Sequence, residues 1–225
     1  MVLVQGNGIS DEDLREHCLA IYEETRRTKV IGDCRERGLG FEILMGAPKY
    51  KPPFAFIGYQ PGPGITPEKA RALGYENSWV DDDCHYATQS WALARTLRKM
   101  FPKDLLLQSI GLNAIFVGAK SIAQYAEKLP KSLREEVKAY CLRQLRRLLE
   151  LMEPQKIILI GFDTLSLFEK GAPLVKSLTR KPPQDVLVRS CRVFDRPAVA
   201  TLHLSGSRIS NADLQLIAEA CRKSV

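Results

Sequence analysis

No apolar run in this chain approaches the roughly 20 residues that a membrane-crossing helix needs. The opening MVLVQGNGIS has neither a basic stretch nor a long apolar one, so no secretory signal is expected, and a cytoplasmic or nuclear location is. None of the cysteines (Cys18, Cys34, Cys84, Cys141, Cys191, Cys221) stands in C-x-x-C spacing. That spacing argues against a zinc ribbon, an iron–sulfur cluster or a disulfide framework, and reduced thiols in or near the core are expected instead. No Walker phosphate loop and no G-x-G-x-x-G fingerprint occur, which disfavours common nucleotide-processing folds. Neither an internal repeat nor a low-complexity tract is present. No metal or cofactor is expected.

What is there suits one α/β domain over residues 1–225, with 1–50 as an N-terminal helix and loop extension. Hydrophobic residues make up 45% and charged residues 26%, an ordinary soluble balance. The formal charge of +7 favours a polyanionic partner, because lysine and arginine release counterions from phosphates on binding. A monomer acting on DNA, with no membrane partner, is the expectation.

Ser10 to Arg27 reads as a helix, with Ser10 as cap and Asp13 in the place of a capping acid. An irregular stretch follows, rich in glycine and then proline. Phe54–Tyr59 is almost wholly apolar, as a strand covered on both faces should be. Thr66 and Pro67 open a short helix that Gly74 stops, and Thr88–Met100 is an amphipathic helix carrying Trp91, Leu93, Ala94, Leu97 and Met100. Leu112–Gly118 reads as the second strand. Ser132, with Glu135, starts a long helix whose stripe is Leu133, Val137, Cys141, Leu145, Leu148, Leu149 and Met152. Further strands are expected at Lys156–Gly161, Val186–Phe194 and Ala198–His203, and a closing helix at Asn211–Lys223 capped by Ser210. Strands that alternate with helices imply a mostly parallel sheet of four or five strands, covered by helices in a three-layer α/β/α sandwich.

In such sheets ligands bind beyond the carboxyl ends of the strands. Three of those ends carry polar residues in loops or apolar runs: Gln60 in FAFIGYQPGPG, Asn113 in GLNAIFVGAK, and His203 in LHLSGSRIS. They are expected to line one pocket. The basic loop KSLTRKPP places Arg180 and Lys181 as candidates to flank it.

These segments resemble motifs of the uracil-DNA glycosylase superfamily. GYQPG resembles its first motif, HLSGS its second, GLNAIFVG the strand whose asparagine reads the pyrimidine edge, and KIILIGFDTLSLF the intervening strand and helix. The ordered set spans about residues 50–223. The resemblance implies a base-excision-repair hydrolase that flips a uracil or other modified base out of DNA and cleaves its N-glycosidic bond. His203 would then donate to the base oxygen as it gains charge, and Asn113 would pair with the base edge through its donor and acceptor. Tyr59 and Tyr75 are the candidates to contact the base, with Trp79 and Tyr86 as other aromatics that stack or pack in the core. Pro61, Gly62, Ser205, Gly206, Ser207, Arg208 and Lys181 would meet DNA, and Ile209 is the candidate wedge for the vacated stack.

Two departures stand out. Gln60 occupies a place where the family often has an acid, and a carboxamide cannot accept a proton near neutral pH. Asp82, within Asp81–His85, is therefore a candidate to orient water, against the plainer reading of an acidic cluster ahead of a helix. Leu204 replaces a proline that often follows the histidine. Two alternatives remain open: a catalytically silent DNA- or nucleotide-binding module of the same fold, and a nucleotide-processing α/β enzyme with superficial similarity.

Overall fold

The computed structural model describes residues 9–62, 83–168, 171–177, 179–205 and 209–223. Four parallel strands form one side of a six-stranded sheet: β2 (Phe54–Gly58), β3 (Ile110–Asn113), β5 (Lys156–Ile160) and β8 (Arg196–Thr201), in the order β3-β2-β5-β8. β7 (Val186–Val193) then pairs antiparallel with β8, and β6 (Ala172–Lys176) antiparallel with β7 at the edge. A separate two-stranded pair joins β1 (Gly40–Phe41) and β4 (Val117–Gly118).

The apolar runs follow from burial on both faces. In β2, Phe54 and Phe56 belong to one core and Ala55 and Ile57 to the other, as a period of two requires. The first core takes α1 (Asp11–Arg27), α2 (Lys29–Glu36), α6 (Ile122–Lys128) and the long α7 (Lys131–Met152) through Leu14, Cys18, Ile31, Tyr125, Val137 and Leu145. α4 (Ala92–Met100), α5 (Lys103–Gln108) and α9 (Asn211–Lys223) enter the second through Leu97, Leu106, Leu214 and Ile217. Short turns of helix, α3 (His85–Thr88) and α8 (Phe162–Leu165), complete the described elements. Among the described residues no helix is long and apolar enough to cross a membrane.

Local signals act where expected at two caps. Ser10 accepts from the Asp13 amide, and Ser210 accepts from the Asp213 amide, each at 3.1 Å. All seven residues of the α7 stripe are buried. The cysteines are free, Cys191 half-buried and the rest buried.

Several expectations need correction. The stretch after α1 is not all loop, since α2 forms in it. The long helix starts at Lys131 with Pro130 at its cap and no side-chain capping bond, so Ser132 and Glu135 make no capping box. Residues 88–100 are not one helix: α3 ends at Thr88 and α4 starts at Ala92, which leaves Trp91 at the cap position and 39% exposed. The second strand begins at Ile110 and ends at Asn113. Ala114–Val117 leaves the sheet although it is wholly buried, and Val117 pairs with Phe41 instead. The sheet has six strands rather than four or five. The expected helix from Thr66 to Gly74 lies outside the described residues.

Candidate functional site at the carboxyl edge

Because β2, β3 and β8 run parallel, their carboxyl ends share one edge of the sheet. Asn113 is the last residue of β3, Gln60 follows the end of β2 by two residues, and His203 follows the end of β8 by two. All three sequence candidates therefore stand at the same edge.

Asn113 is paired in register with Gly58, and a Cβ at position 58 would sit 3.3 Å from Asn113 Oδ1. Glycine there is what admits the amide. Asn113 is 1% exposed, and neither Oδ1 nor Nδ2 has a hydrogen-bond partner. Its backbone is anchored, donating to the Ile43 carbonyl at 3.3 Å. Alternation along β3 puts Asn113 on the face of Gly111, which the Tyr86 ring covers. A buried group without a partner forfeits about 1–3 kcal/mol. An amide with both atoms unmet is thus a standing demand for a ligand carrying one donor and one acceptor side by side.

The loop after β2 is fixed by backbone bonds to the segment after β3: Ala114 donates to the Gly58 carbonyl and Ile115 to the Tyr59 carbonyl, each at 2.8 Å. Gln60 Nε2 donates to the Ala119 carbonyl at 3.3 Å, while its Oε1 is buried and unpartnered. Pro61 is buried and Gly62 exposed. Tyr59 is half-buried, and burial, with the nearby Asp163 carboxylate, raises its phenol above the ordinary range, against the opposing charge of Arg134.

His203 is exposed and stands over Gly161 between β5 and α8, where a Cβ would meet its Cδ2 at 3.2 Å. Gly161 has φ +89, and its amide donates to the Thr201 carbonyl at 3.0 Å. Nδ1 of His203 lies 3.2 Å from Ser205 Oγ. Where the serine hydroxyl is the donor, the ring proton sits on Nε2, which is then available as a donor. Leu204, standing where a proline was expected, is 3% exposed and packs in the second core, so it anchors this loop by burial. Ile209 packs partly buried against the same core, which is not the position of a free wedge.

The basic loop also belongs to this edge. Lys176 pairs with Val186, and Val188 with Thr201, so the connection from β6 to β7 starts and ends beside the end of β8. Lys181 is exposed and Arg180 half-buried. Buried Ser177 accepts from the Thr179 and Arg180 amides and donates to Asp213 Oδ2 at 3.0 Å, which ties the loop to the first turn of α9.

Other candidates fall differently. Tyr86 is a core residue, 1% exposed, against Phe56. Of the acidic cluster, Asp83 is exposed and Cys84 is the buried cap of α3. Asp82, Asp81, Tyr75, Trp79, Gly206, Ser207 and Arg208 lie outside the described residues.

Sequence reasoning missed Glu42. It lies in the segment bonded along β3, its amide donating to the Phe116 carbonyl at 2.9 Å, and burial pushes its carboxyl up to about 7. Its charge also bears on the buried, unpartnered Tyr86 hydroxyl. Missed too were Tyr125 and Arg134, whose hydroxyl and Nε are buried without partners. Nothing local marks these three, because their burial comes from elements distant in the chain.

No protein-family model matches the chain, and no curated protein matches it in sequence.

Proposed function

We propose that this edge receives a nucleobase extruded from DNA, and that the chain hydrolyses its N-glycosidic bond as a monofunctional DNA glycosylase. On this reading the protein is one three-layer α/β/α domain that acts on DNA as a monomer. The observation that carries it is the Asn113 amide, sealed from water with donor and acceptor both unmet. Uracil, with N3–H beside O4, offers the complementary edge. His203 supports the same reading, since Nε2 can donate to a base oxygen as negative charge develops there. Lys181 and Arg180, beside the end of β8, supply positive charge where a strand would pass.

A second reading, a silent base-binding module, is favoured by Gln60. It is tied to Ala119 through its amide nitrogen and cannot take a proton from water. Its buried carbonyl oxygen can still hold a water, which keeps the hydrolytic reading ahead.

The test is a panel of oligonucleotides bearing uracil, hypoxanthine, xanthine or modified pyrimidines, assayed for abasic sites and for binding. Release of a base from at least one member, lost in Asn113→Ala, supports the glycosylase. Binding that discriminates among bases without release from any member establishes the silent module, and neither binding nor release overturns both.

A further inference from the structure

A cavity of about 430 Å³ opens at the amino edge of the sheet, the end opposite Gln60, Asn113 and His203. β5 and β8 start there, at Lys156 and Arg196. β7 pairs Ser190 with Val199 and Cys191 with Ala198, and so brings its own residues to the same end. Sites for small molecules hold about 300–1,000 Å³, so the space suits a ligand rather than a single trapped water.

Much of its wall is apolar: Pro154, Ile157, Ala198, Val199 and Leu174. Ile157 and Ala198 belong to the first core and Val199 to the second, so the cavity reaches both layers at the margin of the sheet. Leu174 is the most exposed large apolar side chain among the described residues, at 48%. An apolar ligand in the cavity would take that side chain out of water.

The charge around this wall has one sign. Lys156 and Arg196 line the cavity, and no carboxylate does. Each cation is anchored at the end of a helix: Lys156 Nζ donates to the Arg222 carbonyl in the last turn of α9, and Arg196 Nη1 to the Leu149 carbonyl near the end of α7 at 3.1 Å. An ammonium carries three donors and a guanidinium five, so one carbonyl leaves most of them for a ligand. Among the described residues no carboxylate forms an ion pair with either cation. Acids around the two helix ends are engaged elsewhere, Glu150 with Arg146, Glu153 with Lys51 and Glu219 with Lys223. Ser190, exposed at the same cavity, adds a hydroxyl.

We infer that this amino-edge cavity binds a small organic anion, a carboxylate with an apolar body. The carboxylate meets Lys156 and Arg196, and the body lies against Leu174 and the apolar wall. A neutral apolar molecule would leave both cations unused, and a bare inorganic anion would leave Leu174 uncovered. The inference is independent of the base-binding reading, whose residues stand at the other end of the sheet.

The full-length chain is titrated at neutral pH and constant ionic strength with octanoate, octylammonium and octanol, which share one apolar chain and differ in the head. Binding is followed through assigned backbone amides in correlation spectra. Octanoate should bind about tenfold or more tighter than octylammonium, with octanol between them, and should shift the Ser190, Cys191 and Val199 amides. Ser190→Asp, a change at an exposed position, places a carboxylate at the cavity and should reverse that preference. Arg196→Gln should weaken octanoate several-fold and leave octanol within about twofold. Leu174→Ser should weaken all three ligands. The inference is overturned if octanoate and octylammonium bind alike, if octanoate leaves those amides unmoved, or if either charge change leaves octanoate affinity as it was. Shifts spread over the whole surface without saturation overturn it too. Ser190 and Leu174 are exposed, so their variants decide the question even where Arg196→Gln does not fold.

Discussion

Gly58 and Asn113 lie opposite each other on neighbouring parallel strands, and the amide of one fills the space that a side chain on the other would take. At 3.3 Å, a methyl group at position 58 forces the amide to shift by a few tenths of an ångström. Gly58→Ala is therefore expected to weaken base binding more than it lowers stability. Denaturation midpoints and binding of a uracil-bearing oligonucleotide, measured on the same preparation, separate the two.

Asn113 itself gives a sharper contrast. If its amide is kept for a ligand, replacing it by an apolar residue relieves an unmet polar burden of about 1–3 kcal/mol. Asn113→Val should leave the melting temperature of the free protein unchanged or raise it, while base discrimination is lost. A variant several degrees less stable than the parent would mean that the amide has a structural partner after all.

Gly161 and His203 form a second such pair. With φ +89, residue 161 occupies backbone space that L side chains rarely adopt, so Gly161→Ala costs about 1–3 kcal/mol and presses on the imidazole. If His203 stabilises the leaving base, His203→Ala raises the barrier by about 2.7–4 kcal/mol, roughly a hundred- to thousandfold in rate. Its effect on substrate affinity should be smaller, because the charge develops only in the transition state. Single-turnover kinetics on the best oligonucleotide check both; equal rates for His203→Ala and parent remove the histidine from the chemistry.

Glu42 sets a pH dependence of known sign. Its folded carboxyl titrates near 7, against an ordinary value of 4.5. Between those values the folded chain holds a proton that the unfolded chain has released, so stability falls as pH rises through the window and levels off above it. The slope from this group is at most about 1.4 kcal/mol per pH unit. Glu42→Gln should flatten that part of the profile and be more stable than the parent at pH 7.5. Urea unfolding at a series of pH values between about 5 and 8 measures this.

How far the sequence foretold these features depended on whether burial left a local trace. β2, β5 and β8 are buried on both faces, so their apolar runs stand out, and Gln60 and His203 could be placed at carboxyl ends by the direction of the chain alone. Asn113 was visible as a polar residue in an apolar run, but its strand was misplaced because Ala114–Val117 is just as apolar while folding away from the sheet. β6 escaped notice because it is mostly exposed and shows no alternation. α2 was hidden by Gly32 and its neighbouring charges, which read as loop. Glu42, Tyr125 and Arg134 owe their surroundings to segments tens of residues away, and no spacing rule encodes that.

The two margins of the sheet are finished differently, with a consequence for how copies of this chain meet. Beyond β3, the segment Ile43–Met45 lies along the strand, with Leu44 bridged to Leu112 and Met45 donating to the Gly111 carbonyl, so that side has no open ladder. At the other side β6 carries Pro173, which lacks an amide hydrogen, a pairing irregularity between Pro173 and Val175, and Lys176 at its end. A second copy approaching edge to edge would find a missing donor, an irregular strand and a charge to bury. The exposed Leu174 sits within that guarded stretch, where such gatekeepers keep an apolar side chain at the margin from seeding strand-by-strand aggregation.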